Sequence, residues 1–276
     1  MTTPTVMITI TGTITTTAST AIVMADGGRS PDEATSDTGL GPSGRGADDV
    51  LKLMVWLSPA FPVGGFTYSH GLEWAIEDGT VTTTAGLERW LADIVRHGAG
   101  RNDAIFFALA HRAMAAGDLD ALSDTVERAA AFQPSKERRL EATAQGAAFM
   151  RAILDTAPAE PLDRLLPLLA ARFDGAVPWT YPVAVGVAAA AHGIALDLAL
   201  PAYLQAFVQN VISAGVRAVP LGQTDGLRLV AALRPMIEAA ASGALHASVD
   251  DLGGAVLRAD IASMKHETQY TRLFRS

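Results

Sequence analysis

The sequence contains no cysteine in 276 residues. Disulfides, thiolate nucleophiles and sulfur-ligated metals are excluded together, and a reducing compartment suits such a chain. Basic residues are also in deficit, with 21 Lys and Arg against 29 Asp and Glu, a net charge of -8 and no long basic run. Nucleic acid and anionic membrane are therefore poor partners. No apolar stretch approaches the ~18 residues that span a bilayer. No Lys or Arg precedes Arg29, so the positive start of a secretory signal is missing. Aromatics are scarce at 6%. These deficits describe a soluble, cytoplasmic protein.

Hydrophobic residues reach 49% and charged residues only 18%, which is ample material for a core. Alanine recurs throughout, as in closely packed helices. Residues 1–48 differ from the rest and read as a disordered Thr/Gly/Ser-rich extension. They carry a Thr-rich start with an alternating patch from Ile8 to Thr15, then Gly, Ser, Asp and Pro. A lone alternating strand has no partner on which to bury a face. Met24 opens the second piece and is a candidate start of translation.

From residue 49 to 276 the apolar period is helical nearly everywhere. A short helix is expected over 50–57, and another over 68–77. Thr82–Thr84 offer caps to a helix with Leu87, Trp90, Leu91, Ile94 and Val95 on one face. Asn102 is expected to cap the next helix, and Gly117 to stop it. Further helices are expected over 119–132, 136–154 (capped by Ser135) and 162–173, with Pro167 kinking or splitting the last. The small apolar run 182–191 suits a central helix. Pro201 should start another, broken at Pro220-Leu221-Gly222. Gln223-Thr224-Asp225 then caps a helix, and Ser248-Val249-Asp250-Asp251 forms a capping box before 252–264. With no strand-like alternation in this part and no βαβ rhythm, the fold class is all-α, one domain of about ten helices.

Several chemistries can be tested against the residues. Gly39-Leu40-Gly41-Pro42-Ser43-Gly44 fits G-x-G-x-x-G literally, but no strand precedes it and no amphipathic helix is expected to open within it. No G-x-x-x-x-G-K-[ST] occurs. His266-Glu267 starts like a zinc helix, but position 270 is Tyr. The six histidines are scattered, without a pair at ligand spacing. Ser69 and His70 are adjacent and point in different directions on a helix, so they do not make a nucleophile and base. Glu73 and Glu77, at i and i+4, read as a solvated acidic face or, with His70, as the carboxylates of a small helical enzyme.

Two stretches remain. Residues 59–74 begin with prolines and a glycine pair, so Pro62–Gly65 should be a tight turn. Phe66 and Trp74 suit a buried corner, while Tyr68, His70, Glu73 and Glu77 read as partner-facing groups on a rigid turn. The C-terminal stretch 265–276 is charged and aromatic. Tyr and Arg are frequent at interface hot spots, and Leu273 and Phe274 are costly to leave in water. Either this tail folds back on its own domain, or it is a hook ordered by a partner.

Ser58-Pro59-Ala60-Phe61-Pro62-Val63-Gly64-Gly65-Phe66-Thr67-Tyr68-Ser69-His70-Gly71-Leu72-Glu73-Trp74 resembles the opening signature of the urease accessory protein UreF family. His266-Glu267-Thr268-Gln269-Tyr270-Thr271-Arg272-Leu273-Phe274-Arg275-Ser276 resembles its ending. Val219-Pro220-Leu221-Gly222-Gln223-Thr224-Asp225-Gly226, and Glu137, Arg139, Glu141 with Gln145-Gly146, match in the same order. His70 and Leu227 stand where that family commonly has Gln, and Thr271 where it has Ser.

The resemblance implies an all-helical, homodimeric, chaperone-like adaptor without catalytic activity. It implies binding to the accessory protein UreD (also UreH), recruitment of the GTPase UreG, and delivery of nickel to apo-urease. Nickel and GTP would then be handled by partners, with no cofactor on this chain. It also implies that Tyr270, Arg272, Leu273, Phe274 and Arg275 dock UreD/UreH. His266, Glu267, Gln223, Tyr68, His70 and Glu73 are the further partner-binding candidates. A helical scaffold for some other partner is the competing reading.

Overall fold

Two alanine-rich helices cross at the centre because their sequences leave little between the backbones. The computed structural model describes residues 42–219 and 221–276. In it α4 (Ala99–Ala116) lies against α8 (Tyr181–Ala191), and both are buried along most of their length. α6 (Lys136–Thr156) covers the other side of α8. A Cβ on Gly146 would lie 2.3 Å from the Trp179 carbonyl, so α6 comes this close only with glycine there.

Around this centre, α3 (Thr84–His97) packs on α4 and on α10 (Gln223–Ala244), and α9 (Leu196–Ala218) packs on α10, α4 and α8. α5 (Leu119–Ala131) joins α4 to α7 (Glu160–Arg172). The short α2 (Leu72–Glu77) and α11 (Leu257–His266) pack together beside α9 and the start of α6. The few aromatics are concentrated where helices meet. Ring centroids step from Trp56 in α1 (Pro42–Trp56) to Phe149 (6.3 Å), Tyr181 (5.7 Å), Tyr203 (5.7 Å) and Phe107 (5.3 Å). This ties five helices together through edge-on and tilted rings. Among the described residues there are eleven α-helices and no strand, the all-α class expected from the periodicity. No described helix is long and apolar enough to cross a membrane.

The caps follow the sequence. Thr83, Asp118 and Ser135 each accept a backbone N–H of the first turn through the side chain, and Gly117 ends α4 with φ 66°. Other expectations are corrected. α1 begins at Pro42, within the G-x-G-x-x-G stretch and well before residue 50. α4 begins at Ala99, so Asn102 is not its cap; Asn102 Oδ1 accepts the Gly253 N–H (3.1 Å). α9 begins at Leu196 and α7 continues unbroken as one helix through Pro167. In both helices the carbonyl that proline leaves free belongs to an exposed residue, Asp197 or Asp163, where water can bind it. The Ser248–Asp251 box closes a 3-10 turn (Val249–Asp251), and α11 starts only at Leu257. The readings placed on residues 1–41 and on Pro220 lie outside the described residues.

Candidate partner-docking site

The stretch between α1 and α2 folds as the prolines and glycines dictate. Gly64 takes a left-handed conformation, Gly65–Thr67 form a 3-10 turn, and the chain then reverses through His70 (φ 57°) and Gly71 (φ 74°). A Cβ on Gly71 would fall 2.7 Å from the Ser263 nitrogen, so glycine both makes this turn and lets α11 approach α2. His70 adopts the left-handed backbone without being glycine, a strain of roughly 1 kcal/mol that its contacts must hold.

Those contacts lie inward. His70 is buried, its ring meets Phe207 edge-on (4.9 Å), and Nε2 lies 3.0 Å from Glu141. Burial first, and then Arg138, lower its pKa, so the imidazole is neutral and Nε2–H donates. Burial alone would raise Glu141, but Arg138 (2.5 Å), His70 and Ser276 outweigh it and hold its pKa at about 2. Asp103 behaves oppositely. Burial, reinforced by Glu141 and opposed by Arg138, pushes it to about 7, while Tyr203 Oη donates to its Oδ2 at 3.4 Å.

The C-terminal stretch closes over this polar floor. Glu73 of α2 accepts the backbone N–H groups of Leu273 (2.6 Å) and Phe274 (3.0 Å). Fully buried His266 lies between two carboxylates, with Nε2 3.0 Å from Glu73 and Nδ1 2.6 Å from Glu137. Arg272 Nη1 pairs with the second oxygen of Glu137 (2.6 Å). Arg275 N–H donates to the Thr67 carbonyl (2.8 Å), Ser69 N–H to the Ser276 carbonyl (2.6 Å), and Ser276 Oγ to Glu141 (2.5 Å). Gln269 donates to Glu77 and Thr271 O, and Glu267 accepts the Lys136 N–H (2.9 Å) at the start of α6. Phe274 is the tail's buried apolar anchor. The Arg217 guanidinium lies over its ring (4.5 Å) and over that of Phe66 (3.9 Å), and donates to the Phe66 carbonyl (2.9 Å).

The tail therefore folds back, and that settles where the expected residues sit. Tyr68 and His70 are buried, against the expectation of partner-facing groups on the opening turn, whereas Phe66, expected in a buried corner, is 61% exposed; His266 and Phe274 are buried as well. Glu73 and Glu77 are bound to the tail and are not a solvated acidic face. The helix expected over 68–77 begins only at Leu72, so Tyr68, on extended backbone, and His70, on left-handed backbone, precede α2 where helical spacing has no meaning. Tyr270 is wholly exposed (103%) and Leu273 is 69% exposed, with the Arg272 and Arg275 side chains also at the surface. Gln223 is exposed at the first position of α10, away from the tail contacts. It lines, with His70, Phe66 and Arg217, a cleft of about 520 Å³ whose floor carries Asp103, Arg138 and Glu141.

Arg138, Ser69, Arg217 and Asp103 were not singled out as site residues from the sequence. The signal for Arg138 was its neighbour: the motif pointed to Arg139, which is exposed, whereas Arg138 is buried against Glu141.

A family model described as UreF matches residues 81–234. The chain is 53% identical over 227 residues to the urease accessory protein UreF of Bradyrhizobium sp. strain BTAi1, an overlap covering 82% of this chain and 92% of that one. The chain belongs to the UreF family. It is similarly 54% identical to the UreF of Rhodopseudomonas palustris strain HaA2, over 82% and 93% of the two chains. Against the UreF of Bradyrhizobium sp. strain ORS 278 it is 50% identical over 245 residues, or 88% and 99%. The matched UreF region runs from just before α3 into α10, so the clasped tail lies beyond the family model.

Proposed function

We propose that this chain is a non-catalytic adaptor in urease maturation, which docks UreD/UreH through its C-terminal region and brings UreG to apo-urease. Nickel and GTP are handled by those partners, and the adaptor works in the cytoplasm as a homodimer. The relatives' name, urease accessory protein, supports the setting. The observation that carries the docking role is the division of labour in the tail. Its backbone and Phe274 are fixed, while Tyr270 and Leu273 are held out in water. α11 adds Leu257, Ile261 and Met264, all exposed and spaced i, i+4, i+7 on one helical face. Aromatic and aliphatic groups displayed on rigid backbone form contacts with little further loss of freedom.

An enzyme built on His70, Glu73 and Glu77 is disfavoured by the same geometry. Both oxygens of Glu73 accept tail N–H groups, and His70 and Glu77 are bonded within the fold. Co-elution with purified UreD/UreH and UreG tests the adaptor reading. The Tyr270→Ala/Leu273→Asp variant should lose the complex while keeping its melting temperature. Undiminished complex formation by that variant would refute the docking role.

A further inference from the structure

Away from the tail, a separate cavity of about 740 Å³ opens between the end of α3, the start of α4 and the C-terminal half of α10. Its depth is apolar, with Val95, Ile105 and Ala244 buried. The α10 wall is apolar and mostly small (Ala232, Ala239, Ala240 and Gly243 beside Pro235 and Met236), and a Cβ on Gly243 would meet nothing within 4 Å. Such a size and lining suit a small organic molecule, for which cavities of roughly 300–1,000 Å³ are usual.

The polar part of the lining is basic: Arg96 and His97 from the last turn of α3, Arg101 from the first turn of α4, and His246 beyond α10. None of the four forms an ion pair among the described residues. Arg101 is anchored all the same, because Nη1 donates to the backbone carbonyl of Asp251 (2.5 Å). A carbonyl fixes a guanidinium without cancelling its charge. Asp251 is the cavity's carboxylate: its Oδ2 is engaged by Ser248 N–H (2.8 Å) and Oγ (3.0 Å), and its charge stands close enough to Arg101 to feel it, so Arg96 is the guanidinium without a carboxylate partner. His246 is held in place from the other side. Arg112 donates to the carbonyls of Leu245 (2.6 Å) and Ala247, the residues on either side of it. In a chain of net charge -8, this is a concentration of basic side chains around an apolar hollow, one of them anchored.

We propose that this cavity binds a small amphipathic anion, with a phosphate or carboxylate head on Arg96 and Arg101 and an apolar body against the α10 wall. This does not depend on the urease reading, and it is tested without partner proteins. Titration calorimetry of the full chain at low salt would use phenyl phosphate, benzoate and inorganic phosphate as probes. Phenyl phosphate, benzoate or both should bind saturably, with Kd of about a millimolar as expected for so few atoms. Inorganic phosphate, lacking the apolar body, should bind at least about tenfold more weakly. Phenyl phosphate and benzoate together separate a phosphate-selective head site from one that takes carboxylate equally; either outcome sustains the site.

Arg96→Gln removes an exposed side chain without an ion-pair partner, so folding should survive. It should weaken every binding probe at least about fivefold, as loss of a charge-assisted contact does. Ala239→Leu, also at an exposed position, should erase the advantage of the aryl probes while sparing inorganic phosphate. The proposal is overturned if neither aryl probe gives a saturable heat, or if Arg96→Gln binds them as the parent chain does. Binding of an acidic peptide alone, with both aryl probes silent, would equally overturn it in favour of a protein surface.

Discussion

Glu73 accepts the backbone N–H of Phe274 at 3.0 Å, across 201 residues of sequence. One carboxylate thus joins the first turn of α2 to the tail, and its other oxygen accepts Leu273 N–H at 2.6 Å. Hydrogen bonds to a charged acceptor are worth roughly 1.5–3 kcal/mol each, more than neutral ones. Glu73 is therefore one principal holder of the tail, beside the Arg272–Glu137 pair and the contacts of Ser276.

Glu73→Ala should release the tail without unfolding the domain. Amide exchange at Leu273 and Phe274 should accelerate by at least about a hundredfold, the equivalent of roughly 3 kcal/mol. Exchange in α4 and α8 should change far less. Unchanged protection at Leu273 and Phe274 would show that Glu73 does not hold them.

Arg217→Ala removes the guanidinium from between the rings of Phe66 and Phe274. Part-buried cation–π contacts contribute about 1–2 kcal/mol. The tail should become more mobile, though less so than with Glu73→Ala, and Arg217→Lys should recover only part of the loss. A full recovery by Lys would point to charge alone and exclude stacking.

Gly71→Ala meets two obstacles, a left-handed φ of 74° and a contact of 2.7 Å with the Ser263 nitrogen. The conformational term costs about 1–2 kcal/mol and the overlap a similar amount, so roughly 3 kcal/mol of stability should be lost. Gly79→Ala is the control, since it shares the positive φ but its Cβ would have open space. Equal melting temperatures for the two variants would mean that α11 yields freely.

Asp103 makes stability depend on pH with a definite sign. Its pKa in the fold is about 7, above the unfolded carboxylate range, so the folded state holds the proton more tightly. Its contribution is complete below about pH 4 and is lost as pH rises through 7. Glu141, held at about 2, contributes stability that is lost only as pH falls from the usual carboxylate range toward 2, so it does not affect the slope between pH 5 and 8. Asp103→Asn should therefore stabilise the protein at pH 8 relative to pH 5, on the order of 2–4 kcal/mol. Denaturant titrations at both pH values would expose the error if the variant and parent kept the same difference throughout.

The helices were legible because their signals are local. Thr83, Ser135 and Gly117 act within one turn of themselves, and the stripe Leu87, Trp90, Leu91, Ile94, Val95 is read directly by the core. The capping signal at Asn102 was ambiguous, since the same amide can serve a distant loop, and here it does. Prolines misled in a consistent way: Pro167 and Pro201 are bearable because the freed carbonyls face solvent, which depends on tertiary placement. At the site, Glu73 and Glu77 show the same limit. Two carboxylates at i and i+4 imply repulsion, unless distant donors (here the tail amides, His266 and Gln269) arrive to satisfy them. The motifs marked the right segments, but the pairing of one with the other is a long-range fact that no spacing encodes.

Arg217 joins the cleft to the tail. Its guanidinium touches Phe66, a wall of the cleft, and Phe274, the anchor of the tail, and Arg217 itself lines the cleft. The two places are therefore linked in the thermodynamic sense. Whatever free energy an occupant of the cleft costs the docking of the tail by moving that guanidinium, a docked tail costs the occupant in equal measure.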